Sequence, residues 1–358
     1  MQKTLVIIAF VVVAVVFVVV GIVLKEKSEV EVTVSNSGAG PSAQEPAPPV
    51  DSNLDVETGP AVPARIVGER CIAVIPKATT HFFWQSVRAG ALKAGQETGV
   101  KILWNGPERE SDREKQIQIV EDFIALKVSG IVLAPNDSRA LVPSVEKIFA
   151  KNIPCAIIDS GIETDKYVCF AATDNYQGGV IAAKRMGEIL GGKGKIIVVK
   201  YMPGSASTTN RENGFIDTIK KEFPEIKIVD TKYGMDTRET ALQATEDMLT
   251  RNVGLDGLYA CNASTSSGAL SALGSQGRAG KIKMVGFDAD EMLVDGLRAG
   301  VIDSLVVQNP YKMGYEGVKA VLAKLDGKEV PKHIDTGVEL VTKERLDEPK
   351  IKALLDLQ

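Results

Sequence analysis

Residues 130–160 read GIVLAPNDSRALVPSVEKIFAKNIPCAIIDS, and this stretch decides the fold. Ile131–Ala134 is a short apolar run that stops at Pro135-Asn136-Asp137, a helix-like stretch follows over 140–151, and Ala156–Ile158 stops at Asp159-Ser160. Two apolar runs separated by one helix length predict a strand–helix–strand unit with both strands buried in a parallel sheet. In such sheets ligands bind outside the carboxyl ends of the strands. Polar residues therefore stand where a ligand would.

The same ending recurs outward in both directions. Ile72–Ile75 runs into Pro76-Lys77, Ile196–Val199 into Lys200-Tyr201, Gly257–Cys261 into Asn262, and Met284–Phe287 into Asp288. Strands are expected near 72–75, 101–104, 131–134, 155–158 and 168–172, with helices near 83–97, 113–127 and 140–151. A second series has strands near 195–200, 226–230, 256–261, 283–287, 303–307 and 338–341. Its helices fall near 176–190, 208–222, 238–251, 265–275, 290–298 and 312–325. Alternating strands and helices make right-handed βαβ units. So many strands exceed one ordinary core, so the predicted fold class is α/β, with two similar doubly wound parallel-sheet lobes.

The chain has 358 residues, 44% of them hydrophobic, which suffices for two such lobes. Its net charge of −4 has no basic block, and aromatics are only 5%, so nucleic acid has no electrostatic or stacking footprint. Thr4–Leu24 is a 21-residue stretch without a charge, long enough to span a bilayer and longer than the apolar core of a cleaved signal. Residues 1–24 are thus expected to be a membrane anchor or signal segment, an uncleaved anchor being favoured, with the globular part exported. Residues 25–69, rich in Ser, Pro and Gly, read as a disordered tether. Such a tether reaches about 35 Å. Cys71, Cys155, Cys169 and Cys261 all lie in strand-like runs and are expected as buried free thiols.

Catalysis finds no candidate. No Ser-His-Asp or Cys-His arrangement has a recognisable context, and with two histidines, His81 and His333, a histidine metal site is not expected. Gly191-Gly192-Lys193-Gly194-Lys195 lacks the Ser/Thr of a phosphate loop and reads as a tight turn. No cofactor is implied.

Four runs carry a resemblance. They are ATDNYQGG (Ala172–Gly179), SASTTNRENGF (Ser205–Phe215), MVGFDAD (Met284–Asp290) and the turn Val307-Gln308-Asn309-Pro310. In their order and spacing the region from Arg70 to Glu344 resembles the type I periplasmic sugar-binding proteins, the ribose/galactose/arabinose cluster that serves ABC importers. The resemblance implies two lobes joined by a three-segment hinge, with sugar bound between them. It places 70–173 and 309–337 in one lobe, 174–308 and 338–346 in the other, and leaves 347–358 as a C-terminal tail.

It also implies a set of ligand-binding residues. Lys77 falls where the family uses a polar residue, His81 where ribose-type members often have asparagine, and Phe83 and Trp84 where paired aromatics sandwich the sugar ring. Asp159 matches a strand-end aspartate that accepts from sugar hydroxyls, while Arg211, Asn262, Asp288 and Gln308 match the residues that complete the polar ring. His81 also suits a helix cap, and Phe82 is expected in the core. Two departures, Ser160 in place of an arginine and Met235 in place of an aromatic, alter the pocket's size.

The chemistry of these side chains suits a sugar. Carboxylates accept from hydroxyls, Lys, Arg and Asn donate back, and an aromatic plate covers the ring's C–H face. Asp159 and Asp288 balance Lys77 and Arg211, which favours a neutral polyol over a phosphate or carboxylate. The expectation is a non-enzymatic extracytoplasmic receptor that delivers a neutral sugar to an ABC importer's membrane subunits. The alternative is the same receptor feeding a membrane sensor kinase or chemoreceptor.

Overall fold

The computed structural model describes residues 70–356. The expected anchor at 1–24 and tether at 25–69 lie outside the described residues. Among the described residues no helix is long and apolar enough to cross a membrane.

The first half alternates strictly, in the order β1 (Cys71–Ile75), α1 (Phe82–Thr98), β2 (Lys101–Trp104), α2 (Arg113–Leu126), β3 (Gly130–Leu133), α3 (Val142–Ala150), β4 (Cys155–Ile158) and β5 (Cys169–Ala172). The second half follows with α4 (Asn175–Ile189), β6 (Lys193–Lys200), α5 (Ala206–Glu222), β7 (Glu225–Tyr233), α6 (Arg238–Arg251), β8 (Gly257–Ala260), α7 (Ala263–Ser275), β9 (Lys283–Phe287), α8 (Glu291–Arg298) and β10 (Ser304–Gln308). The chain ends with α9 (Pro310–Leu325), β11 (His333–Asp335), β12 (Val338–Thr342) and α10 (Pro349–Leu355).

These strands form two six-stranded sheets, ordered β11-β5-β4-β3-β1-β2 and β12-β10-β9-β8-β6-β7. The first is parallel throughout. The second is parallel except that β12 runs antiparallel to β10, with Val338 opposite Gln308. The chain reaches β12 at the carboxyl end of β10, so it can only run back. It passes between sheets after β5, after β10 and after β11. All three passages lie at the carboxyl ends of strands, and Thr173 Oγ1 ties two of them by donating to the Gly337 carbonyl at 3.2 Å.

Period-two alternation sorts the side chains between the faces of each sheet. In the first, Ile72, Val74, Val132 and Ile158 are buried with residues of α1 and α9, and Ala73, Ile75, Ile131, Leu133 and Ile157 with residues of α2 and α3. Cys155 and Cys169 fall on opposite faces, and all four cysteines are free and buried. Burial pushes the Cys155 thiol up to about 12 and the Cys169 thiol to about 11.

Two segments go beyond the sequence expectation. The strand β11 was not anticipated; it pairs with β5 through His333, Ile334 and Asp335. The tail contains α10, whose Ile351 and Leu354 are buried in the core that also holds Leu258, Leu297 and Val341.

Candidate functional site

Lys77 stands two residues beyond β1 and Asp159 one beyond β4. Their side chains are both 4% exposed and pair at 2.6 Å. Lys77 also donates to Ser207 Oγ at 3.2 Å, a hydroxyl in the first turn of α5 on the other sheet's side of the cleft. Ser160 takes part, accepting from the Ser207 amide at 3.1 Å. Where the resemblance placed an arginine, a small hydroxyl thus lets two strand ends and a helix start meet.

Arg211 lies on α5 and is almost fully buried. Its guanidinium rests on the Phe287 ring at 4.0 Å, donates to Asn175 Oδ1 at 2.8 Å and to the Cys261 carbonyl at 3.2 Å, and reaches Asp288 at 3.8 Å. Asp288 accepts from Gln308 Nε2 at 2.6 Å and from the Ala263 amide at 2.9 Å. Burial raises the Asp288 carboxyl above its ordinary value despite Arg211 and these donors. Asp159 and Asp288 both adopt left-handed backbone, φ 60° and 67°. Aspartate is among the few non-glycine side chains that visit this region, and backbone held there clusters at binding sites.

His81 caps α1, its Nδ1 accepting from the Phe83 amide at 3.4 Å. Asn262 caps α7 in a reciprocal capping box with Thr265. Both residues line the cleft as well, so capping and lining are compatible. Phe83 and Trp84 are buried and meet edge to face, 4.9 Å apart at 85°. They are therefore not two parallel plates. Phe82 is 54% exposed, which corrects its expected place in the core. As the first residue of α1 it projects away from the face that Phe83 and Trp84 bury.

Lys77, His81, Phe83, Trp84, Asp159, Arg211, Asn262, Asp288 and Gln308 all line one cavity between the lobes. Its enclosed space is about 30 Å³, and it opens through a mouth onto solvent. An adjoining, roomier space of about 280 Å³ shares His81, Glu110 and Ala263 with it. Sequence reasoning missed Glu110 and Tyr201 in this wall, whereas Ser207 and Thr208 belong to the hydroxyl-rich start of α5 that precedes Arg211. Glu110 sits in the irregular loop between β2 and α2, where neither a strand end nor a cap marks it. Tyr201 does follow a strand end and was legible as such, but the resemblance directed attention to Met235 instead. Met235 is 40% exposed and absent from the cavity lining, which Tyr201 enters.

Glu110 also changes the charge count, giving the wall three carboxylates against Lys77 and Arg211. An anionic ligand fits worse for that, and hydroxyl donors fit better.

Comparison with known proteins bears on this cleft. The family model described as "Periplasmic binding protein domain" matches residues 72–329. The D-ribose/D-allose-binding protein of Pseudomonas aeruginosa is 32% identical over 289 residues, 76% of this chain and 88% of that protein. A solute-binding protein of an ABC transporter from Agrobacterium vitis, solved with bound D-fucose, is 40% identical with a TM-score of 0.77, covering 80% of this chain and 99% of that one. A carbohydrate transporter solute binding protein from Agrobacterium radiobacter, solved with D-arabinose, is 37% identical with a TM-score of 0.78, covering 81% and 100%.

Proposed function

The chain belongs to the periplasmic binding protein family, and from that premise we propose that it is the extracytoplasmic receptor of an ABC sugar importer, binding a neutral sugar between its lobes. The observation that carries this reading is the cavity wall itself. Buried carboxylates paired with Lys77 and Arg211 stand beside the aromatic pair Phe83–Trp84, all within one interlobe space. Carboxylates accept from sugar hydroxyls, the cations and amides donate, and an aromatic face covers the ring. Sugar-binding relatives of importers support the transport role.

In this reading Lys77, His81, Phe83, Trp84 and Asp159 hold the sugar from one lobe, and Arg211, Asn262, Asp288 and Gln308 complete the ring of contacts. The lobes are 70–173 with 309–337 and 174–308 with 338–346, and the three chain passages between the sheets act as the hinge. Closure follows from contacts that both lobes make only when closed, and the closed form is what the importer's membrane subunits receive. The receptor does not alter the sugar, and Thr4–Leu24 tethers it to the membrane.

Thermal unfolding of the chain against pentoses, hexoses, disaccharides, polyols and phosphorylated sugars tests the reading. A ligand at 1,000 times its dissociation constant adds about 4 kcal/mol of stability. A shift with a neutral sugar that is recovered unchanged is the expected result. No shift with any sugar would sink the sugar assignment.

A further inference from the structure

The cavity wall holds one carboxylate that the paired charges do not explain. Among the described residues no cation lies within ion-pair distance of Glu110, yet both of its oxygens are engaged. Oε1 accepts from the Trp84 indole N–H at 2.7 Å and Oε2 from the Tyr201 hydroxyl at 2.6 Å. Trp84 sits on α1, and Tyr201 follows β6 in the second sheet, so the carboxylate spans the cleft. Tyr201 is only 1% exposed, and its amide donates to the buried Glu212 at 3.0 Å, which fixes the backbone that carries the phenol. Burial, then the nearby Glu110 charge, pushes that phenol well above its ordinary value, so it stays a donor.

A carboxylate offers about four acceptor positions. Two of Glu110's are taken, and the group lines the cavity. We propose that Glu110 and Tyr201 form the selectivity pair of the cleft. Glu110 accepts directly from one hydroxyl of the bound sugar while holding the Trp84 ring and the Tyr201 phenol in register across the two lobes. This rests on the sugar-receptor reading above and adds to it a contact, a positioning role and a specific discrimination. A site built to accept a hydroxyl rejects the analogue that lacks it, because its own polar group is then left unpaired.

The test uses the full chain in detergent with Trp104→Phe, so that Trp84 is the sole tryptophan. Glu110→Ala should change Trp84 emission in the absence of any sugar. The best sugar of the panel and its monodeoxy analogues are then titrated. The parent should bind one of those analogues at least about tenfold more weakly than the sugar. Glu110→Ala should lose about tenfold for the sugar itself and no longer discriminate against that analogue. Tyr201→Phe, which keeps the ring and removes the donor, should lose several-fold. The double variant should be no weaker than Glu110→Ala alone, since both changes break one coupled unit.

Unchanged affinity and discrimination in both single variants would overturn the proposal, as would fully multiplicative losses in the double. Should Glu110→Ala fail to fold, Glu110→Gln keeps one acceptor oxygen and carries the same titration. If no sugar binds the parent, the receptor reading fails and the selectivity pair falls with it. A Trp84 emission change in that case would mark the Glu110–Trp84 bond as real and the ligand class as the error.

Discussion

Asp288 concentrates the residue-scale argument, because it joins a strand end, a helix start and a buried cation. Its carboxylate touches Gln308, the Ala263 amide and Arg211, so Asp288→Ala and Arg211→Ala should each weaken sugar binding at least about tenfold. Titration calorimetry with the sugar identified in the panel checks this, and unchanged affinity for either removes that residue from the site. A pH signature follows too. The folded carboxyl is raised above its ordinary 3.8 by burial, so above that pH the folded state binds more protons than the unfolded one. Stability from this group is present at low pH and lost as pH rises through the folded value. Asp288→Asn should therefore flatten the fall of unfolding free energy with rising pH. Urea titrations at about pH 4 and pH 7 read that slope. The nine residues named from sequence converge on one cavity because strand ends and helix caps are local features that topology then gathers. Glu110 escaped because it sits in a loop, and only the fold brings it to Trp84 and Tyr201.

At the scale of elements, close helix packing sets where Arg211 can stand. A Cβ on Gly179 in α4 would collide with the Arg211 carbonyl, and one on Gly214 in α5 with that of Tyr176. Gly90 and Gly314 play the same part between α1 and α9 in the other lobe. Gly179→Ala should cost about 1–3 kcal/mol through overpacking. Because the displaced backbone carries Arg211, sugar affinity should fall as well. Denaturant unfolding and a sugar titration on the one variant separate these effects, and a stability loss with full affinity would show that α5 relaxes without moving the guanidinium. The principal helices and strands were legible because long periodic segments and short buried runs are distinct patterns. The strand β11 was not, since three residues with exposed His333 and Asp335 make no apolar run. The short α10 was hidden similarly; only Ile351 and Leu354 mark its buried side.

For the whole molecule, the deciding quantity is how much of the protein is closed before sugar arrives. Several contacts hold the lobes together without lining the sugar cavity. Asp236, after β7, accepts from Ser111 Oγ at 2.7 Å and from Arg109 at 3.3 Å, both in the loop that also carries Glu110. Burial raises the Asp236 carboxyl, but the Ser111 and Arg109 hydrogen bonds outweigh that and leave it below its ordinary value. The latch is thus fully present above pH 3.8, its ordinary value, and is lost only as pH falls through the lower folded one. Arg113 adds a bond to the Pro203 carbonyl at 2.8 Å. If sugar needs both lobes, apparent affinity scales with the closed fraction, whatever touches the ligand itself. Asp236→Ala should then weaken binding by about two- to tenfold, since the Arg109 side of the contact is exposed and worth little. The loss should appear mainly as faster dissociation, and the unliganded protein should show a larger radius in small-angle scattering. A wild-type radius with weaker binding would instead assign Asp236 to the ligand. A larger radius with unchanged affinity would mean that the sugar closes the cleft without help from this latch.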